Sequence, residues 1–348
     1  MNNTTPHMLL EIRETPTVVS NLLNVDPASY QNLARAIREH NPDFAVTIAR
    51  GTSDHAANFL KYALETQLGL VTASSSPSVI TAYDTKLRLK KAVVIAISQS
   101  GQSPDVVNSL RAAREAGALT VALVNQEHSP LEDAAEFVLP MLAGEELAVA
   151  ATKSFVASLV APLQVIASLS QDHALQTALQ NLPAALSTTL ELEENAGNRS
   201  ERYRYVEAMV SLARGIHYPI AQETALKLKE TCVLQTEAFS SAEFAHGPII
   251  LVEPGFPVIA FQARDATAQG TLERYQDLAS RGAELILIGD DTPEIPAATR
   301  LSTPATGHRL TDPIVAIVAA YLFAGHLSLN KGFNPDSPRS LKKVTRTL

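Results

Sequence analysis

The stretch "VVIAISQSGQSPDVV", residues 93–107, joins an apolar run to a serine-rich loop. Its apolar residues predict a strand that is buried on both faces. Ser103 then precedes Pro104, which is the pattern of a helix N-cap followed by the first helical residue. A buried strand that leads through a short loop into a helix is typical of a parallel sheet.

The same alternation extends outward along the chain. Strands are predicted at "FAVTIARG" (44–51), "AVVIAIS" (92–98) and "LTVALVN" (119–125), with helices at 53–69 and 104–117 between them. Residues 8–40 are predicted to be helical, with breaks near Pro16 and Pro27, and a polar, leucine-spaced stretch near 153–205 is predicted to form connecting or pairing helices. The pattern predicts an α/β fold with helices on both faces of the sheet.

Three elements recur at a nearly constant distance. "IARG" (48–51) returns as "LARG" (212–215) and "VIAI" (94–97) as "VIAF" (258–261), each 164 residues later, while "REAGALTVALV" (114–124) returns as "ASRGAELILIG" (279–289) 165 residues later. The shared register favours an internal duplication over chance similarity of two α/β domains. We therefore predict two tandem, doubly wound, flavodoxin-like domains, at 41–190 and 191–335, after a helical segment 1–40 and before a tail 336–348.

Composition restricts the class of protein. A chain of 348 residues suits two domains, and its net charge of −8 gives no basic field for nucleic acid or an anionic membrane. The single cysteine, Cys232, excludes an internal disulfide and fits a reducing compartment. No signal peptide and no run of 18 apolar residues is present, so we expect a cytoplasmic location and no membrane span.

The serine loop predicts a phosphate site. In an open parallel sheet, ligands bind beyond the carboxyl ends of the strands, where backbone N–H groups and the positive ends of helix dipoles are exposed. The loop 98–103 and the loop Gly51-Thr52-Ser53 both lie at such ends, although ordinary helix caps remain the alternative for each loop alone. Neither is a Walker or dinucleotide motif, so no nucleotide cofactor is expected. The duplicate carries Gln262-Ala263-Arg264-Asp265 at the same place, so the serine loop belongs to one half only.

A second informative stretch is "ETALKLKETCVLQTEAFSSAEFAHGP", residues 223–248. Glu223, Lys227 and Glu230 share one face of the predicted helix. Spacing alone favours a solvated salt-bridged stripe over a catalytic set, and a lone histidine, His246, before Gly247-Pro248 is more often a turn residue than a catalytic one. The nine histidines show no metal-binding spacing, so no metal is expected.

The motifs together resemble the sugar isomerase (SIS) family, and in particular the isomerase half of glutamine-dependent glucosamine-6-phosphate synthases. The resemblance extends nearly end to end. It is carried by "HMLLEIRETP" (7–16), "RGTSDHA" (50–56), "SQSGQSPD" (98–105), "ELAVAATKSF" (146–155), "ALKLKE" (225–230), "EFAHGP" (243–248) and "PRSLKKVT" (338–345).

The resemblance implies a role for each matching position. Glu230 would move a proton between C1 and C2, and His246, from the neighbouring subunit of a homodimer, would open the sugar ring. Lys227 and Glu223 would polarise the O1 end of the substrate, and Lys343 on the tail would close over the sugar. Substrate binding would fall to Thr52, Ser53, Ser98, Gln99, Ser100 and Ser103 at the phosphate, and to Val149 and Ala151 at the sugar.

Two departures from the synthases are Arg50, where they have cysteine, and Asp54, where they often have an aromatic residue. The printed sequence also begins at the isomerase half, so no glutaminase domain is expected. The resulting prediction is a glucosamine-6-phosphate deaminase that needs no cofactor and no nucleic acid or membrane partner. The alternatives are a galactosamine-6-phosphate deaminase, a deglycase of a phosphorylated fructosamine, an aldose–ketose phosphate isomerase and a non-catalytic sugar-phosphate sensor.

Overall fold

The computed structural model describes residues 5–343. The strands of the first sheet are β1 (Phe44–Ile48), β2 (Thr72–Ser74), β3 (Ala92–Ser98), β4 (Leu119–Val124) and β5 (Phe137–Pro140). Those of the second sheet are β6 (Ala208–Ala213), β7 (Gln235–Ser240), β8 (Pro257–Gln262), β9 (Glu284–Gly289) and β10 (Thr299–Ser302).

Helices precede, separate and follow these strands. In chain order they are α1 (His7–Arg13), α2 (Thr15–Leu23), α3 (Ala28–His40), α4 (Thr52–Leu68), α5 (Ser78–Thr81), α6 (Pro104–Glu115), α7 (Pro130–Ala134), α8 (Lys153–Ser170), α9 (His173–Leu190), α10 (Glu193–Ser200), α11 (Tyr218–Cys232), α12 (Ser241–Phe244), α13 (Ala268–Ser280) and α14 (Asp312–Asn330).

The two sheets have the same topology. The first has the order β2-β1-β3-β4-β5 and the second the order β7-β6-β8-β9-β10, and every neighbouring pair is parallel. This is the doubly wound, flavodoxin-like order, so the predicted fold class is confirmed. The equivalent glycines Gly51 and Gly215 even share a positive φ, 57° and 60°, after the first strand of each sheet.

The central strands are buried because both faces of each sheet are covered. All of β4 and β8 is buried, and β3 is buried at every position but one. Their side chains form one apolar core per sheet, built in the first case from β1, β3, β4 and α6. Parallel strands of this kind have continuous apolar sequences, and this explains why they were recognisable from the sequence.

The chain divides into two compact units that are each discontinuous in sequence. The first unit contains 17–146, 153–179 and the residues from 342 onward, and it holds the first sheet. The second unit contains the residues up to 16, then 147–152 and 180–341, and it holds the second sheet. The helices of the predicted 1–40 segment are divided between them, because α1 packs on α14 whereas α3 packs on α8. The predicted domain boundaries stay predictions.

Two helices, α8 and α14, are long and apolar enough to span a membrane by length and composition alone. Both are mostly buried within their units, as expected of core helices. The prediction of a polar character for residues 153–205 is wrong for α8, whose residues from Lys153 to Ala167 are all buried. An apolar helix that packs on α3 and α4 needs no polar face.

Gly101 gives a test of how tightly the serine loop is built. Its φ is 62°, and a Cβ there would lie 2.3 Å from Ser129 Oγ, whereas Gly69 has a φ of 63° with nothing within 4 Å of its Cβ position. We expect Gly69→Ala to cost about 1 kcal/mol through backbone strain alone. Gly101→Ala should cost about 2–4 kcal/mol, because Ser129 must also move. Urea unfolding of both variants measures the difference, and equal losses would contradict the packing described.

Candidate active site

The serine loop lies at the carboxyl edge of the first sheet. It follows β3, and the loop 49–51 follows β1, the strand that pairs with β3. Buried Ser98 accepts a hydrogen bond on Oγ from the Gly101 amide at 3.0 Å, and Ser100 Oγ accepts one from the Gln102 amide at 3.3 Å. The serines therefore shape the loop as well as lining it.

Two helices begin at these loops. Thr52 is the first residue of α4, after Gly51, and Ser53 is the second. Ser103 occupies the N-cap position of α6 but makes no side-chain capping bond. The positive ends of two helix dipoles thus coincide with the hydroxyl groups, which is an arrangement suited to an anion.

Arg50 links the two loops. Its Nε lies 3.0 Å and its Nη2 2.9 Å from Asp105 Oδ2, and the Asp105 side chain is completely buried at the start of α6. Arg50 occupies a position where the similar synthases have cysteine. The sequence therefore showed that this residue differs from the family pattern, but not that it binds Asp105. Burial raises the pKa of nearby Asp54, while His55 and Arg50 partly offset that rise.

A cleft of about 850 Å³ opens beside the loop. Gln99 and Ser100 line it, and so does Lys343, whose Nζ lies 3.3 Å from Glu146 Oε2. Glu146 is itself buried and accepts a bond from Ser154 Oγ at 2.6 Å, so a fixed carboxylate anchors the tail lysine. Glu146 also lines the cleft, and the remaining lining residues are Gln102, Asn125, Gln126, Glu127, His128, Leu142, Gly144 and Glu145. Residues 344–348 of the predicted tail lie outside the described residues.

The second unit holds the predicted charged set on α11. Lys227 Nζ lies 3.1 Å from Glu223 Oε1 and 2.7 Å from Glu230 Oε2. The side chains of Lys227 and Glu223 have no exposed surface, whereas that of Glu230 is 22% exposed. The solvated-stripe alternative is therefore wrong, since a surface stripe would leave the lysine in water.

The buried lysine keeps its charge. Burial by itself lowers the pKa of Lys227, but the charges of Glu223 and Glu230 and their hydrogen bonds outweigh it, and the pKa lies above the usual value. Helix α14 supplies a further contact, because the Tyr321 hydroxyl donates to Glu223 Oε1 at 3.0 Å. Sequence reasoning missed Tyr321, which stands in an apolar helix and looks there like an ordinary core residue.

The predicted sugar-lining residues lie in the short segment 147–152 of the second unit. Val149 donates its amide to Asp336 O at 3.1 Å, and the carboxylate of Asp336 accepts the amides of His7 and Met8 at the start of α1. Val149 and Ala151 are both half-buried. The segment is thus tied to the N-terminus of α1, near the positive end of that helix.

His246 is not a member of these hydrogen-bond networks within the described residues. It follows α12, is exposed, and its ring makes no hydrogen bond within residues 5–343. Ile250, just beyond it, is 85% exposed. The roles proposed for all these residues stay predictions. As for metals, no group of three or more histidine, cysteine or acidic side chains in the described part of the chain is placed to hold an ion.

Comparison with known proteins identifies the family. The sequence profile of the SIS domain matches residues 41–168 and again 206–327, well over half of the chain. The chain belongs to the SIS domain family. The two matches fall on the two sheets, so each sheet is the core of one SIS domain.

Relatives extend this result to the whole chain. The glutamine–fructose-6-phosphate aminotransferase (isomerizing) of Aquifex aeolicus is 32% identical over 97% of this SIS protein, which spans 57% of that relative's length. The C-terminal domain of the Francisella tularensis glucosamine–fructose-6-phosphate aminotransferase superposes with a TM-score of 0.88 at 29% identity, covering 97% of this chain and 99% of that one. A Silicibacter pomeroyi protein described as a phosphosugar isomerase gives 0.86 at 40% identity, covering 95% and 100%.

The resemblance inferred from the motifs is therefore confirmed. This SIS protein is an isomerase-type protein related to the isomerase part of the aminotransferases. The residues that carried the resemblance include Lys227 and Glu230 of the buried α11 network.

The network predicts a large and specific loss of stability. Lys227→Met should cost about 3–5 kcal/mol, because it leaves Glu223 buried without its cation. The double variant Glu223→Gln/Lys227→Met should recover most of that loss. Because the pKa of Lys227 is raised, the stabilisation that its charge gives the wild type is complete below the ordinary lysine pKa and should not change between about pH 6 and about pH 9. In the variant, buried Glu223 lacks its cation and favours its neutral form, so the loss caused by Lys227→Met should be smaller at the lower end of this pH range.

Urea unfolding measures these values, and Lys61→Met is the matched control. Lys61 pairs with Glu65 at the same i,i+4 spacing, but their side chains are 41% and 34% exposed. The control should therefore cost less than about 1 kcal/mol. Equal losses for Lys61→Met and Lys227→Met would show that the α11 network is not buried in solution.

Proposed function

We propose that the residues described here catalyse the conversion of glucosamine 6-phosphate and water to fructose 6-phosphate and ammonia. The observation that carries this proposal is the α11 network. The network contains one partly exposed carboxylate, Glu230, whose Oε2 lies 2.7 Å from Nζ of the buried, protonated Lys227. A single carboxylate that accepts a proton at one carbon and returns it at the next is the requirement of aldose–ketose chemistry.

The chemistry proceeds in three steps. His246 opens the ring by moving a proton between O1 and the ring oxygen, which gives an aldehyde at C1. Glu230 removes the C2 proton, and charge develops on O1 of the enolamine before the proton is returned to C1. The product is an imine at C2, which water attacks. The C2–N bond then breaks, ammonia leaves, and a ketone remains at C2.

Lys227 supports the second step. Its side chain has no exposed surface in this structure, so Glu230 is the member of the network that meets substrate. Lys227 holds one oxygen of Glu230 and leaves the other for the proton, and its cation stabilises negative charge that develops nearby. The phosphate group is assigned to the serine loop, where hydroxyls and two helix N-termini coincide.

The reactants that these residues require support the hydrolytic direction of the reaction. Water and a sugar phosphate suffice for the three steps, whereas taking ammonia from glutamine uses an activated nucleophile such as a thiolate. The single cysteine of the sequence is Cys232, and burial raises the pKa of its thiol to about 12. This buried thiol is unsuited to that task, whereas the attack of water on the imine needs no such nucleophile.

We also propose a homodimer in which His246 serves the partner's site. The exposed position of His246 supports this, as does the exposed apolar side chain of Ile250 beside it. A cytoplasmic location is part of the same proposal, since sugar phosphates are metabolites of that compartment.

The decisive experiment measures ammonia and proton transfer together. In D₂O, the protein should release ammonia from glucosamine 6-phosphate and yield fructose 6-phosphate with some deuterium at C1. Glu230→Gln should lower turnover by about 10²–10⁴-fold, because it keeps the shape and removes the base. Glu237→Gln, on the exposed edge of β7, is the control and should leave turnover unchanged.

The substrate panel separates the other candidates. Unphosphorylated glucosamine should be a poor substrate. Ammonia from galactosamine 6-phosphate alone would reassign the sugar, and cleavage of a phosphorylated fructosamine alone would indicate a deglycase. Interconversion of aldose and ketose phosphates without ammonia release would indicate a plain isomerase, and binding without any reaction would indicate a sensor.

Mixing two inactive variants tests the shared site. Glu230→Gln and His246→Ala homodimers should each be inactive, and hybrid dimers should regain activity because one of their two sites has both residues intact. Mass spectrometry of the mixture establishes that hybrids have formed. Hybrids without activity would place Glu230 and His246 of one site in the same subunit.

A further inference from the structure

Among the described residues, hydrogen bonds join α14 to α11 at Ser328, Cys232 and Tyr321. Ser328 Oγ donates to Thr231 O at 2.7 Å, and Cys232 Sγ donates to Ala324 O at 3.4 Å. Both of these bonds end on the backbone and serve packing. The third, from Tyr321 to Glu223, ends on a charged side chain of the candidate catalytic set.

Tyr321 and Lys227 share one acceptor. The tyrosine hydroxyl lies 3.0 Å and the lysine Nζ 3.1 Å from the same oxygen, Oε1 of Glu223. Tyr321 and Glu223 are both completely buried, so this oxygen receives its donors from protein groups. A hydrogen bond to a buried carboxylate favours its ionised form and fixes its orientation.

Tyr321 differs in this respect from Tyr275, another buried tyrosine of the same unit. The hydroxyl of Tyr275 donates to the backbone carbonyl oxygens of Leu212 and Phe261. Those partners are neutral, as is usual for a buried tyrosine that needs only a hydrogen bond. Tyr321 instead donates to a carboxylate that is completely buried.

We propose that Tyr321 is a positioning residue for proton transfer. Its hydroxyl holds Glu223 so that Glu223 fixes Lys227, and Lys227 in turn fixes Glu230. The donor–acceptor distances are 3.0 Å from Tyr321 to Glu223, 3.1 Å from Lys227 to Glu223 and 2.7 Å from Lys227 to Glu230. These contacts connect α14 to the partly exposed carboxylate of Glu230. This inference rests on the proposed function, because Tyr321 acts only through the base.

Tyr321→Phe tests it, since the change removes the hydroxyl and keeps the ring. We expect kcat for ammonia release to fall roughly tenfold, the effect of one lost hydrogen bond to a charged group. KM and the dissociation constant of fructose 6-phosphate should stay within about twofold of the wild type, because Tyr321 makes no contact in the serine-loop cleft. Tyr275→Phe removes a buried hydroxyl from the same unit whose partners are backbone carbonyls, and it should leave kcat within about twofold.

A double-mutant cycle distinguishes positioning from general loosening. In a Glu223→Gln background, measured in single turnovers at high enzyme concentration, Tyr321→Phe should lower the rate by clearly less, because the amide oxygen of glutamine still accepts the hydroxyl but carries no charge to be held against Lys227. An equal loss in both backgrounds would show a structural role and overturn the inference. An unchanged kcat for Tyr321→Phe in an otherwise wild-type protein would overturn it as well.

The wild type separates this inference from the proposed function. If the wild type releases no ammonia but exchanges the C1 protons of fructose 6-phosphate with D₂O, the deaminase proposal fails, and the same cycle is run on exchange. If neither reaction occurs, both proposals fail together. Activity in the wild type combined with full activity in Tyr321→Phe removes the Tyr321 inference alone.

Discussion

The buried lysine of α11 imposes the strongest constraint on the second SIS domain. Moving an ammonium group out of water costs several kcal/mol, and only paired carboxylates with good geometry offset that cost. Lys227 has two, at 3.1 and 2.7 Å, so neither carboxylate can be lost without exposing the lysine to an apolar environment. One of the two, Glu230, keeps part of its surface accessible. The same ion pairs that satisfy a buried charge therefore present a carboxylate whose second oxygen is available for chemistry.

The two SIS domains share one scaffold but differ in the side chains at the carboxyl edge of the sheet. Both sheets have the same strand order, and in both domains the backbone turns at a glycine of positive φ after β1 or β6. In the first domain, short hydroxyl side chains follow β3. At the position equivalent to Ser100, the second domain has Arg264, which bonds Asp290 at 2.9 Å and the Thr303 carbonyl at 2.5 Å. The guanidinium of Arg264 is held by these protein groups at that edge of the second sheet, so the serine-rich arrangement suited to an anion is present in one domain only.

Fixed carboxylates recur as anchors for basic groups. Buried Asp105 holds Arg50 between two loops, and buried Glu146 holds Lys343 beside the serine-loop cleft. In each pair the cation is more exposed than its partner, so the acid determines where the base is placed. This matters in a chain of net charge −8, where local pairs rather than overall charge must create any positive region for a sugar phosphate.

The sequence by itself determined the fold class, because buried parallel strands are continuous apolar runs and their loops begin helices with recognisable caps. Local patterns also located the serine loop and the i,i+4 charges of α11. The short edge strands β2 and β5 were not predicted, because a strand of three or four residues is too short to show a recognisable hydrophobic pattern. Only the tertiary structure decided that Lys227 is buried and that Tyr321, 98 residues from Glu223, donates to it. Helical spacing specifies which residues share a face, but the packing of a distant helix decides whether water reaches that face.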